Sequence, residues 1–223
     1  MAVDKEEEVP VILSKKSGRV DVSLENVRKT SKLAQKNILE SFKAKGISVR
    51  DVAQITLESQ QKYMPDLTID LVEKTVRNML KKDDVQDIVQ MAMALDDFAN
   101  KGLFPEPLNS KIVTDAGYFG LDEVLVSAIY QLYGMVAVTN YGYIDKTKPL
   151  IIGDIDRRGK ETSETTTFLD DVVGALAGGA CGYWAHHAYL LDKMVKKQAK
   201  KAKKRAKKQA KKQAKKQARH QVG

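Results

Sequence analysis

From Val172 to Leu191 the chain runs 20 residues without a formal charge, and that run limits the folds open to it. A stretch so apolar needs protein or lipid around it. Its length is borderline for a membrane span. Four glycines, His186, His187 and the acids Asp170 and Asp171 at its start argue instead for a helix in a protein core. Gly174, Gly178 and Gly182 recur every four residues, with Ala175 and Gly179 alongside. Small residues at that spacing let a neighbouring backbone approach closely, so tight helix packing is expected here rather than a groove for a lipid chain. A second segment, Tyr118–Val138, is apolar nearly all round, as in a helix buried in the middle of a bundle. Its uncharged part, Val124–Thr139, has 16 residues, which is short for a span.

Helical patterning surrounds these two segments. From Ser23 to Lys45, Val27, Leu33, Ala34, Ile38, Leu39 and Phe42 fall at helical spacing, and Gly46 stops the run. Ser48 with Asp51 three residues on forms a shortened capping box for a helix reaching about Tyr63, before Pro65. Thr68 is placed to cap a helix through Leu80. A fourth covers Val85–Lys101, with Ile88, Met91, Ala92, Leu95 and Phe98 on one face. Gly102–Ala116 reads as a loop and Asn140–Thr166 as a polar stretch; no period-2 alternation persists. The expected fold is all-α: a single globular bundle of about six helices with buried central helices, plus a basic C-terminal tail.

Charge divides the chain. Of 38 Lys and Arg residues, 15 lie in 193–223 with no Asp or Glu, leaving 23 basic and 29 acidic residues, a net −6, in the first 192. The division expected is a polar N-terminal extension over 1–22, a helical domain over 23–192 and a Lys/Ala/Gln-rich tail over 193–223. One cysteine excludes a disulfide framework and argues against structural zinc. The start, MAVDKEEEVP, lacks the pattern of a secretory signal, so a cytoplasmic address is expected. The tail repeats two Lys, Gln and Ala, with Ala202, Ala206, Ala210, Ala214 and Ala218 four apart. Lys pairs at i,i+4 repel, so weak helicity or disorder is expected when it is free. It suits an anionic membrane surface, through about 1 kcal/mol per basic residue, or nucleic acid, an equally suitable polyanion; a solubilising tail is the alternative.

Four carboxylates stand where a bland core would not place them. Asp122 and Glu123 open one apolar segment, and Asp170 and Asp171 open the other. Ionised carboxylates are costly to bury unless paired or bound to a cation, and oxygen clusters of this kind suit Mg²⁺. Each pair alone is also what a solvated helix N-terminus favours. Between them, Asp145 is a further oxygen ligand candidate, and Lys146 and Lys148 can meet phosphate oxygens. Asp154, Asp156, Arg157 and Arg158 add little specificity. His186 and His187 lie roughly 20–25 Å along a helix from the acids, and Cys181 reads as a small buried hydrophobe.

GLDEVL at 120–125, TNYGYIDKTKP at 139–149 and TFLDDVVGALAG at 167–178, in that order, resemble the phosphatidylglycerophosphatase A family, and in particular its soluble YutG-like branch. YMPDLT at 63–68 and GLFPEPL at 102–108 extend the resemblance. It implies an all-helical fold and Mg²⁺-dependent hydrolysis of the phosphate monoester of phosphatidylglycerophosphate or a related phospholipid. It implies metal binding by Asp122, Glu123, Asp145, Asp170 and Asp171, and catalytic roles for Asp145, Lys146, Lys148 and Asp171. With a lipid substrate, the tail would hold the protein peripherally at the inner face of the membrane. A non-catalytic metal-binding helical module, its tail on nucleic acid or membrane, is the alternative. Two positions depart from the family pattern: Leu150 follows Pro149 where Gly is common, and Thr165–Thr167 stand where a His is expected.

Overall fold

The computed structural model describes residues 24–220; the 1–22 extension lies outside them. The described residues form nine helices and no strand: α1 (Leu24–Ala44), α2 (Val49–Gln60), α3 (Ile69–Met79), α4 (Asp83–Asn100), α5 (Leu108–Val113), α6 (Leu121–Gln131), α7 (Met135–Thr147), α8 (Ile151–Glu161) and α9 (Leu169–His220). The capping box is present: Ser48 accepts from the Asp51 N–H, and the Asp51 carboxylate accepts from the Ser48 N–H at 2.7 Å. Gly46 ends the turn after α1 at φ +72°. Thr68 sits at the N-cap of α3 without a side-chain capping bond.

The first half of α9 is the axis of the fold. Residues 165–182 are all buried, and helices α2, α3, α4, α6, α7 and α8 pack against α9, with α7 making the most extensive contact. Its glycines make that contact possible. A Cβ on Gly182 would stand 2.7 Å from the Tyr133 carbonyl oxygen and from Ala137 Cβ, and one on Gly178 would stand 3.0 Å from the Tyr141 backbone nitrogen. The small-residue stripe therefore faces α7 across a nearly bare backbone, as tight packing requires. Thr56 Oγ1 donates to the Ala177 carbonyl at 3.1 Å and ties α2 to the same helix.

Several elements depart from the expectation of about six helices. Tyr118–Val138 is broken in two at Gly134, whose φ of +82° is readily adopted only by a residue without Cβ. The apolar pattern on either side is continuous, so periodicity conceals the break. The polar stretch Asn140–Thr166 contains the rest of α7 and all of α8. In α8 only Ile152 and Ile155 are buried, too few to stand out against its charges. α5 lies inside the expected Gly102–Ala116 loop. The tail continues α9 as helix to His220, past a kink at His187 (φ −115°, ψ 19°). Among the described residues, no helix is long and apolar enough to cross a membrane.

The start of α9 is fixed from a distance. Asp96 of α4, 1% exposed, accepts the Phe168 N–H at 3.0 Å and the Leu169 N–H at 3.0 Å, satisfying donors that a helix start leaves open. The preceding threonines brace the same turn: Thr167 Oγ1 donates to the Ile112 carbonyl at 2.6 Å and Thr166 Oγ1 to that of Ile155 at 3.3 Å. Burial pushes the Asp96 carboxyl up to about 8, against the pull of these N–H groups and of Lys45. The unfolded chain loses this proton near pH 4 and the folded chain near pH 8, so the stability this group contributes is full at low pH and is lost as pH rises across that window. Asp96→Ala should cost about 2 kcal/mol at pH 5 by stranding buried N–H groups. Urea melts at pH 5 and pH 8.5 should show Asp96→Asn gaining on the parent at the higher pH, because its neutral amide has no proton to lose.

Candidate active site

Three helix ends converge on one polar cavity of about 330 Å³. The start of α6 brings Asp122 and Glu123, the end of α7 brings Asp145, Lys146 and Lys148, and the start of α9 brings Asp170 and Asp171. Every acid and lysine singled out from the sequence thus lines one cavity. Asp145 and Lys146 sit in the last turn of α7. Three further charged residues complete the wall: Asp115, Asp156 and Lys160. Asp156 belongs to a charge-rich stretch that has little specificity in sequence. Asp115 and Lys160 carried no motif, and only the fold brings them near.

Lys148 is the hub. Its Nζ lies 2.7 Å from Asp145 Oδ1, 2.8 Å from Asp170 Oδ2 and 3.9 Å from Asp171 Oδ1. Asp170 and Asp171 are buried, at 6% and 4% exposure, whereas Lys148 keeps 30% of its side chain in solvent. Burial lowers the affinity of the amine for its proton, but the Asp170 charge and the hydrogen bonds the amine donates to Asp145 and Asp170 more than reverse this, and its pKa rises. The lysine is therefore a fixed cation. Seven carboxylates face three lysines in this cavity, and Lys148 does not neutralise them. Asp171 stays above the carboxylate range through burial and the Asp170 charge, and Asp170 is raised by burial despite Lys148. Glu123 is raised by burial and by Asp122, and Asp115 likewise. Beneath them Tyr141 stacks on Tyr130 with ring centroids 4.3 Å apart. Its buried hydroxyl makes no hydrogen bond, although Asp171 is near enough for its charge to act on that hydroxyl.

The donor set is all hard oxygen with negative charge in excess, the chemistry that suits Mg²⁺. Among the described residues, no three carboxylates, histidines or cysteines stand in metal-holding geometry; the Lys148 ammonium is the cation lying between the acids. No histidine lines the cavity. Thr166, at the position where a His is expected, is buried with its hydroxyl bound to the Ile155 carbonyl. A larger cavity, about 500 Å³, lies between α2 and α7 and is lined by Lys62, Tyr63, Asn140 and Tyr143 among others; it contains none of the acids discussed above.

The site is thus a set of helix ends that gather acids around a lysine in an all-helical protein. Comparisons with known proteins give its family. The chain belongs to the phosphatidylglycerophosphatase A family, whose model matches residues 51–186, and so stands among phosphatase-like proteins. It is 41% identical over 147 residues to the uncharacterized protein YutG of Bacillus subtilis strain 168, a match covering 66% of this chain and 87% of YutG. A structure of a protein of unknown function from Bacillus stearothermophilus is 39% identical, with a TM-score of 0.65 over 71% of this chain and 94% of that one. The low temperature requirement C protein of Listeria monocytogenes is 36% identical, with a TM-score of 0.67 over 70% and 97%.

The turn that aims Lys148 explains one departure from the family pattern. Lys148 caps α7 at φ +42°, ψ 57°, Pro149 follows, and Leu150 begins α8 at φ +53°, ψ −129°. That second conformation suits glycine and strains a residue with a Cβ, which accounts for Gly being common there. Leu150 is 45% exposed, so little packing compensates. Leu150→Gly should raise stability by about 1–2 kcal/mol through relief of this strain, read as a higher melting temperature in thermal unfolding followed by circular dichroism.

Proposed function

We propose that this protein is a Mg²⁺-dependent phosphatase that removes the phosphate monoester of phosphatidylglycerophosphate or a related phospholipid. The observation that carries the reading is the Lys148 ammonium held among Asp145, Asp170 and Asp171 in a cavity still rich in uncompensated acid. The cavity suits a phosphorylated headgroup rather than acyl chains, because its walls are charged and its volume is about 330 Å³. Asp122, Glu123, Asp145, Asp170 and Asp171 would hold the metal. When bound, Mg²⁺ supplies positive charge beside the phosphoryl group and lowers the pKa of water. Lys146 and Lys148 orient the phosphoryl oxygens and offset the charge that develops on them. Asp145, whose side chain alone is 28% exposed against 7% for that of Asp170 and 5% for that of Asp171, is the acid of this trio that solvent reaches most freely. It is the best placed to take a proton from attacking water. Water adds at phosphorus, the ester P–O bond breaks, and the freed glycerol oxygen takes up a proton.

Phosphate release from phosphatidylglycerophosphate by the purified full-length protein tests this. Release is expected with Mg²⁺ and not with chelator, and Asp171→Asn should lower kcat/KM by at least about 100-fold, the scale on which such groups act. No release with Mg²⁺ present would sink the enzyme reading. Mg²⁺ binding without turnover would favour a second one, a metal-binding helical module, for which the absence of a histidine from the cavity wall speaks.

The tail is proposed to hold the protein at an anionic membrane surface. It continues α9 away from the acidic cavity, beginning about 30 Å along the helix from Asp171, so it would tether without entering the site. Co-sedimentation with vesicles containing anionic lipid should be lost when residues 193–223 are removed and should weaken steeply as salt shortens the Debye length. Binding that survives the truncation rules the tail out as the anchor. A preference for duplex DNA or RNA over vesicles would assign it to nucleic acid.

A further inference from the structure

The outer side of the α4–α6 pair is apolar and uncovered. On α4, Met91 is 55% and Phe98 46% exposed, on α6 Leu121 is 47% and Val124 66% exposed, and Leu132, which caps α6, is 47% exposed. Ile88, Leu95 and Leu125 lie half-buried beside them. The helical register places these two stripes next to each other. The opposite edge of α4 is taken by α1, since Gln86 Nε2 donates to the Ser31 carbonyl at 2.9 Å. The opposite edge of α6 is taken by α7, since Tyr130 stacks on Tyr141. α4 and α6 pack directly on each other, so the exposed stripes border their shared groove. Leu103 (64%), Tyr118 (78%) and Met135 (72%) extend the surface beyond the ends of the two helices. Sequence periodicity alone had marked α6 as buried all round.

We propose that this face is the contact between two copies of this chain. Charge argues against an anionic bilayer as its occupant. Neither α4 nor α6 contains a Lys or Arg, α4 carries Asp83, Asp84, Asp87, Asp96 and Asp97, and α6 opens with Asp122 and Glu123. Helices that lie on membranes carry basic residues on their polar side. From Ile88 to Phe98 the α4 stripe is uncharged, with the exposed Asp84 and Asp87 at its N-terminal end, and a two-fold pairing sets residue i against a different residue j of the partner copy, so these acids need not face each other. The area is of the right size. At about 100 Å² for an aliphatic side chain and about 200 Å² for an aromatic one, the exposed portions of these residues amount to roughly 600 Å² of surface per copy. That is close to the two-thirds apolar share of the ~800 Å² that each partner contributes to a standard interface. The face shares α6 with Asp122 and Glu123, so pairing would also hold one wall of the acidic cavity in place.

Sedimentation velocity of the full-length protein tests the proposal, in about 0.5 M salt to screen the tail. A dimer is expected at about 50 µM, far above the Kd of a stable homodimer. Met91→Lys and Leu132→Lys, made separately at exposed positions, should each raise the dimer dissociation constant at least about tenfold while the helical circular dichroism is retained. Tyr63→Lys, exposed elsewhere, should leave the dimer intact. A monomeric parent chain at that concentration overturns the proposal, as does a dimer indifferent to both face substitutions. A monomer that binds neutral phosphatidylcholine vesicles, and loses that binding with Met91→Lys or Leu132→Lys, overturns it in favour of a lipid surface.

Discussion

The near-contact of two backbones, α7 against α9, sets the position of almost everything else in this protein. Gly178 and Gly182 leave α9 bare where Tyr133, Ala137 and Tyr141 approach, and helices meet this closely only when one of them presents no side chain. Because the axes are so near, Lys148 at the end of α7 can put its ammonium between the carboxylates at the start of α9. A methyl group on either glycine would move the helices apart and with them the ends that form the cavity. The packing of the core and the geometry of the candidate site are thus one arrangement.

Electrostatically the site is held short of neutrality. Buried carboxylates ordinarily come paired, because an uncompensated charge in the interior is costly. Here Asp170 has its partner in Lys148 and is nevertheless raised by burial, and Asp171 is raised by burial and by the Asp170 charge. A fold selected for stability alone gains nothing from such a cluster. The positive-φ backbone at Leu150 lies next to the turn that presents Lys148, a second local cost at the same place. Asp96 makes the complementary contribution from the far side: it anchors the first backbone N–H groups of α9 just before the two acids that enter the cavity.

The surfaces differ as sharply as the interior. The cavity, the α4–α6 face and the tail are respectively acidic, apolar and basic, and they occupy different parts of the molecule. The helix that begins in the cavity continues into the basic tail. Membership of the phosphatidylglycerophosphatase A family covers 51–186, which takes in the cavity acids and the α4–α6 face; the basic run of 193–223 lies beyond it.

Read by itself, the sequence determined the helical class, the capping box at Ser48, the buried Gly-rich helix, the division of charge and the set of acids that the fold brings together. Each of these is a local pattern or a short motif, carried by residues close together in the chain. Tertiary structure alone decided the rest. Gly134 divides an apolar run whose periodicity passes through it without interruption, because the backbone needs a positive φ there and hydrophobicity does not register that need. α8 buries only Ile152 and Ile155, so its charges hid its helical character. Asp115 and Lys160 acquired a place in the site from helix packing across some 45 residues of intervening chain. The exposed side of α6 was hidden because an apolar helix looks the same in sequence whether its last face meets a core, a second chain or water.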